Sequence, residues 1–526
     1  MPKVLIADSI DPQGVDLLRS QAAQVDVKTG LQPAELKGIL GGYDALIVRS
    51  QTRVTEELLE AGQQLQVIGR AGVGVDNIDL EAATRRGIAV VNAPTGNIVA
   101  AAEHTVALLL ALARNIPQGH ESLHRGQWQR SQFTGVEVRN KTLGVIGLGK
   151  VGSEVVRRLQ GFNMRVIAHD PFISPDFARL LGVELVPLEK LLQEADFITV
   201  HTPLTEETRN LIGEERLRLV KPSVRIINVA RGGLIDEGAL LKALEEGRVA
   251  GAALDVFAQE PPGEHPLLQH PQVIGTPHLG ASTQEAQREV AVEVAEQVLA
   301  VLRGEPARYI VNFPVLPPEV HKLVAPFVQV ASLTGKLLTQ LAEGQFLSLQ
   351  ISYQGEIAQY DTTILKAAVL MGLLQPVSAE RVNLINAPVM AEQRGLKTAE
   401  QKESAVGEYA SLLTATLKTS AGTLALGGTL MRSEVHIVRV NDYWLDMVPS
   451  VPYLLFIEHR DQPGMIGAVG TITGQNDINI SFMEVGRLSP RGGAMMVLGL
   501  DDPMSDTALE QVRSLPHIDS AKVVKL

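Results

Sequence analysis

The chain has 526 residues, 45% of them hydrophobic and 20% charged, and a net charge of −12. That composition excludes a disordered or fibrous chain, and the acidic balance argues against a non-specific nucleic-acid or anionic-membrane binder. With no cysteine, disulfides, thiolate zinc sites, iron–sulfur clusters and a cysteine nucleophile are excluded as well.

The opening MPKVLIADSI does not read as a secretory signal, and no apolar run is long enough for a membrane span, so a cytoplasmic location is expected. Short apolar runs at 3–7, 45–48, 66–68 and 89–91 alternate with stretches of helical spacing, which predicts βα units and a parallel sheet. After Asn97 the segment AAEHTVALLLALA predicts a buried helix. Runs at 142–146, 165–168, 197–200, 226–229, 250–254 and 273–276 predict a second parallel sheet, and 283–302 a further helix ended by Gly304 and Pro306.

Three prolines within 312–318 predict a linker. From 319 to 450 helical stretches flank strand-like runs at 347–353 and 435–440, and Gly427-Gly428 predicts a tight turn. A proline-bearing hinge at 448–452 leads into strand 453–457, helix 465–475, strands 478–485 and 494–500, helix 505–514 and strand 518–524. That order is βαββαβ, ferredoxin-like. The fold expected is therefore α/β: two Rossmann-like parallel-sheet units, an α+β unit and a ferredoxin-like one.

Within TLGVIGLGKVG, Gly147, Gly149 and Gly152 follow an apolar strand and open a helix, and Asp170 ends the next strand. This is the dinucleotide-binding pattern. Gly147 makes the tight turn, Gly149 admits the pyrophosphate, and Gly152 lets helix pack on strand. The helix N-terminus offers free N–H groups to phosphate. A carboxylate at Asp170 accepts from ribose hydroxyls and repels a 2′-phosphate, which points to NAD rather than NADP. The alternative is a glycine-rich turn in an ordinary sheet. A second glycine-rich stretch, GRAGVGVDN, has the wrong spacing for the fingerprint; it reads as a plain turn or as a close approach to a small ligand, and Arg70 within it favours the ligand.

Three later strand ends carry unusual polar residues: Arg231 in NVARGGLID, Asp255 and Glu260 in LDVFAQEPP, and His278 in TPHLGAS. Ligands in open α/β sheets bind at the carboxyl ends of strands, so all three point to one crevice. His278 suits a general base for an alcohol proton, Glu260 a partner that stabilises the imidazolium, and Arg231 a bidentate grip on a substrate carboxylate. Taken singly, each has a bland reading: a His after a strand is more often a capping or surface residue, and an Arg before Gly-Gly is usually solvated.

In combination these motifs resemble the D-isomer-specific 2-hydroxyacid dehydrogenases over roughly residues 1–312. The resemblance implies a catalytic triad of Arg231, Glu260 and His278. It implies a discontinuous substrate domain (1–97 and 286–312) around an NAD domain (98–285). It places Gly147, Gly149, Lys150, Val151, Gly152 and Asp170 on the adenosine and pyrophosphate side of the cofactor. Thr202, Val229, Arg231, Asp255, His278 and Gly280 fall towards the nicotinamide.

RSQTRV (Arg49, Arg53), GRAG (Arg70) and RGQWQRSQF (Arg125, Arg130) gather arginine in an acidic chain, which suits a doubly anionic substrate. RAGVGVDNID and NAPTGN sharpen the resemblance to the branch that oxidises 3-phospho-D-glycerate to 3-phosphohydroxypyruvate with NAD, opening serine synthesis. There Arg49 and Arg70 would face substrate, and Arg130 would reach the phosphate from a partner subunit of a homodimer or tetramer. Other D-2-hydroxyacid oxidation, on glycerate for example, and a NAD-sensing corepressor are the alternatives. The C-terminal units favour the phosphorylated substrate. Residues 319–450 resemble that branch's intervening domain, and IEHRDQPGMIGAVG with NDINISFMEVGR, within 453–526, resembles an amino-acid-sensing ACT domain. In serine-sensing versions the positions matching His459, Asp461 and Asn479 line an L-serine site.

Overall fold

The computed structural model describes the chain except residues 22, 23, 306, 315–317 and 406. The expected helix stop at Pro306 and part of the expected proline linker lie outside the described residues. The helix that follows, Pro318–Leu341, begins at the last position assigned to that linker.

The first unit is a parallel sheet in the order β2-β1-β3-β4-β5, formed by β1 (Lys3–Ile6), β2 (Gln24–Val27), β3 (Ala45–Val48), β4 (Val67–Arg70) and β5 (Ala89–Asn92). Its central strands are apolar at nearly every position because helices cover both faces. One cover comes from far along the chain. Helix Gln284–Leu302 packs on β4 and β5, and its Val290, Val294, Ala295 and Val298 share one apolar cluster with Val4, Ile6 and Ile47. The chain then runs back along the β5 edge, where Val311 N–H donates to Val90 C=O at 2.7 Å and Asn312 Oδ1 accepts Val90 N–H at 2.9 Å. An exposed strand edge is thereby closed.

The second unit is a seven-stranded sheet in the order β12-β11-β10-β9-β6-β7-β8. Its strands are β6 (Thr142–Ile146), β7 (Arg165–His169), β8 (Glu184–Leu185), β9 (Phe197–Val200), β10 (Arg225–Asn228), β11 (Gly251–Leu254) and β12 (Val273–Gly275), all parallel. The helix predicted after Asn97 is Ile98–Arg114, and it buries Ala102, Leu108, Leu109 and Leu112 against this sheet.

The third unit is a mixed sheet in the order β14-β13-β15-β16-β17-β18. It comprises β13 (Phe346–Gly355), β14 (Lys397–Glu403), β15 (Ser411–Thr419), β16 (Thr423–Met431), β17 (Glu434–Val440) and β18 (Tyr443–Met447). Here the expected turn at Gly427-Gly428 is corrected: both glycines lie inside β16. They serve close packing rather than reversal. A Cβ on Gly428 would stand 2.6 Å from Val330 Cγ1 of the crossing helix. Gly428→Val is expected to cost about 1–3 kcal/mol by overpacking, read as a lower urea midpoint at unchanged slope.

The last unit has β19 (Tyr453–Arg460), β20 (Ile480–Arg487), β21 (Gly493–Leu500) and β22 (Ile518–Lys525) in the order β20-β21-β19-β22, with two helices on one face. The two-residue period divides β19. Leu455 and Ile457 face the helices with Val469 and Val512, whereas Leu454 and Phe456 join the core of the third unit. The short connection 448–452 therefore joins two units that share one apolar cluster. Among the described residues no single helix is long and apolar enough to cross a membrane.

Candidate active site

A cleft of about 810 Å³ separates the first two sheets, lined by Arg49, Arg53, Arg70, Arg231, Glu260 and His278 among others. Two glycine-rich turns make room for its parts. At β6, Gly147 has φ 91°, and a Cβ there would stand 2.7 Å from His201 C=O. Only glycine takes that turn without strain. A Cβ on Gly152 would stand 2.1 Å from Gly147 C=O, so helix Lys150–Gln160 can sit on its strand only with glycine there. Gly149, at the helix N-cap, has open space in front of it. That is the cradle a pyrophosphate needs.

Asp170 is fixed facing this turn, accepting Leu148 N–H at 2.8 Å and Phe172 N–H at 2.9 Å. Beside Gly147, Thr202 Oγ1 is buried and has no hydrogen-bond partner among the described residues. Val229, Asp255 and Gly280 converge nearby, since a Cβ on Gly280 would touch Val229 Cγ1 at 3.0 Å and Asp255 Oδ2 at 3.3 Å. The residues present therefore fit a dinucleotide. Lys150 and Val151 open the first helical turn, with Lys150 Nζ lying 5.8 Å from the Tyr309 ring centre. A carboxylate beside the adenosine ribose repels a 2′-phosphate. Asp170→Ser is expected to raise the NADP:NAD ratio of kcat/KM at least about tenfold, measured by initial rates with each cofactor.

The second glycine-rich turn, after β4, houses guanidinium groups. A Cβ on Gly72 would fall 1.5 Å from Arg70 Nη1, and one on Gly74 would fall 2.2 Å from Arg231 Nη2. Burial pushes the Arg70 pKa down to about 10, and the neighbouring charges of Arg231 and Arg49 push the same way. The group remains cationic, and its buried Nε has no partner among the described residues. Cations crowded in this way are relieved by an anion. Arg49 is held by the buried Asp8, which accepts Arg49 N–H at 2.6 Å and the Thr52 hydroxyl at 2.6 Å. Arg231 follows β10, where Asn228 shapes the turn by donating to Arg231 C=O at 2.8 Å. Its Nε reaches Asp76 of the first unit at 3.4 Å.

His278 stands at φ 55° beyond β12, and its Nδ1 lies 2.7 Å from Glu260 Oε2. Glu260 is itself fixed by Phe257 N–H at 3.1 Å. Burial works to raise the Glu260 pKa, but the hydrogen bond and charge of His278 and the Phe257 amide outweigh it and hold the carboxyl below its usual range. Glu260→Gln removes the negative charge that lies 2.7 Å from the His278 ring. It is expected to lower kcat about tenfold or more while NADH affinity holds, checked by steady-state rates and calorimetry.

Not every expected site residue converges within one chain. Arg130, in the turn Arg130–Phe133, is exposed and outside the cleft lining. His459 and Asp461 lie at the Gly493 end of the last sheet and Asn479 at the Leu500 end, next to Asp501. His459 is buried with Nε2 unpartnered among the described residues, and Asp461 accepts Arg491 N–H at 3.0 Å. Asp76 and Asn228 lie within the stretches GRAGVGVDN and NVARGGLID without being singled out there, and Asp8 lies in no motif. Asp8 and Asp76 show their role only through partners distant in sequence, and Asn228 only through the turn it closes.

Residues 106–280 match the NAD-binding domain of the D-isomer-specific 2-hydroxyacid dehydrogenases. Residues 323–441 match the D-3-phosphoglycerate dehydrogenase intervening domain, and 453–517 the ACT domain. The D-3-phosphoglycerate dehydrogenase of Synechocystis is 49% identical over all of this chain and 95% of its own length. That of Methanocaldococcus jannaschii is 43% identical over the whole of both. The chain belongs to the D-3-phosphoglycerate dehydrogenase family. Among solved structures, D-lactate dehydrogenase from Aquifex aeolicus, complexed with NAD and lactic acid, is similar at 30% identity and a TM-score of 0.53. The similarity covers 59% of this chain and 99% of that one.

Proposed function

We propose that the protein oxidises 3-phospho-D-glycerate to 3-phosphohydroxypyruvate with NAD, the entry step of serine synthesis. The observation that carries this is the joining, in one cleft, of the His278–Glu260 pair with Arg49, Arg70 and Arg231. Arg231 grips the substrate carboxylate and orients C2. With Nδ1 engaged by Glu260, His278 presents Nε2 to the 2-hydroxyl and takes its proton as C2 gives up hydride. Glu260 stabilises the imidazolium that results. NAD, when bound, supplies the hydride acceptor. Arg49 and Arg70 provide positive charge for the phosphate, with Arg130 of a second copy completing that grip in a homo-oligomer. Asp255 and Thr202 shape the nicotinamide side, and Asp170 the adenosine side.

The substrate domain is assigned to 1–97 and 286–312 and the NAD domain to 98–285, with an intervening domain at 319–450 and an ACT domain at 453–526. A cytoplasmic location suits a substrate drawn from central carbon metabolism. The ACT domain is assigned an L-serine site using His459 and Asp461 of one copy. Because Asn479 lies at the other end of the sheet, it would come from another copy. NADH formation from 3-phosphoglycerate tests the reading, and a protein inactive on it would refute it. Added L-serine is expected to lower that rate, and an unchanged rate would remove the serine assignment alone.

A further inference from the structure

A second imidazole beneath the catalytic loop plays no part in the scheme above. His104 lies on helix Ile98–Arg114, with Nε2 3.2 Å from Asp255 Oδ1 and 3.1 Å from Thr276 Oγ1. The Thr276 hydroxyl donates to the same Oδ1 at 2.6 Å. Asp255 is fully buried and grips the loop around His278. Its carboxylate accepts Leu279 N–H at 2.7 Å and Gly280 N–H at 2.8 Å, and its C=O accepts His278 N–H at 2.9 Å. Three consecutive amides of the catalytic loop thus hang on one residue. His278 itself sits in the left-handed region at φ 55°, which a histidine holds only if its surroundings enforce it.

A carboxylate only accepts, so the contact to Oδ1 requires a proton on His104 Nε2. Burial would raise the Asp255 pKa, but the donated bonds from His104, Thr276 and Leu279 outweigh it and keep the group below its usual range. Losing one donor leaves a buried charge short of partners, and the carboxylate must turn to recover one. Any such turn moves the amides on either side of it. The helix that carries His104 begins directly after Asn97, which lines the cleft. The contact therefore also ties the segment crossing between the two sheets to the catalytic loop.

We propose that His104 is a positioning residue for hydride transfer, holding the Asp255 carboxylate against the Leu279 and Gly280 amides and so fixing His278 over the cleft. The inference rests on the reading of the cleft as a 3-phosphoglycerate site. Small displacements of a reacting group cost large factors in rate while leaving binding nearly intact.

The test compares His104→Leu, which removes the donor, with His104→Gln, whose amide nitrogen replaces Nε2. Steady-state rates on 3-phosphoglycerate are measured beside NADH affinity by calorimetry. The leucine variant is expected to lose about tenfold or more in kcat, with KM and NADH affinity within about threefold, and the glutamine variant to recover most of the loss. Thr276→Val, which removes the other side-chain donor to the same oxygen, is expected to show the same split and decides the matter if the leucine variant does not fold. Unchanged kcat in the leucine variant would overturn the proposal. So would NADH affinity falling in step with kcat, or a glutamine variant as slow as the leucine one. Inactivity of the parent protein on 3-phosphoglycerate would instead overturn the reading of the cleft.

Discussion

Replacing His278 with alanine is expected to lower kcat about a thousandfold while leaving NADH affinity essentially unchanged. The proton of the 2-hydroxyl then loses the acceptor proposed for it, and Glu260, 2.7 Å from the lost imidazole, is left without that partner. The glycine turn at Gly147 and the helix Lys150–Gln160 do not depend on that side chain, so the cofactor cradle survives. Single-turnover rates and NADH calorimetry on the same preparation separate the two effects. Substantial turnover in the alanine variant would remove His278 as the acid–base group.

Loss of the Arg231 guanidinium is the second large effect. Charge-assisted hydrogen bonds to a carboxylate are worth about 1.5–3 kcal/mol, so Arg231→Ala is expected to raise the KM for 3-phosphoglycerate about a hundredfold. The variant also leaves Asp76, now 3.4 Å from the arginine Nε, as an unpaired negative charge beside an anionic substrate. Lysine keeps the charge but not the planar fork, so Arg231→Lys should recover only part of the loss. An alanine variant with the parent KM would show that the carboxylate is held elsewhere.

The central strands were legible in the sequence because strands covered on both faces must be apolar throughout, as ALIV and FITV are. Edge strand β2, QVDV, escaped notice because it is half-exposed and polar at alternate positions. The Gly427-Gly428 pair was misread for a different reason: glycine marks a close approach as readily as a turn, and only packing distinguishes them. The βαββαβ order was visible through its hinge and its alternation of elements.

For the site, the fingerprint glycines and the four polar residues at three strand ends carried their own local signals. Asp8 and Asp76 did not. Asp8 acts on residues 41 and 44 positions away, and Asp76 meets Arg231 only because two separate sheets face one another across the cleft. Sequence spacing holds no record of such distances.

The central claim is that this cleft selects a substrate anionic at both ends. Its most direct measurement is the ratio of kcat/KM for 3-phospho-D-glycerate to that for D-glycerate, with NAD, on the unmodified protein. A site built to pair a charged phosphate leaves buried cations unmatched when the phosphate is missing. The expected ratio is about 10³ or more, falling sharply in Arg70→Ala. A ratio near one, with D-glycerate oxidised as fast, would contradict the account.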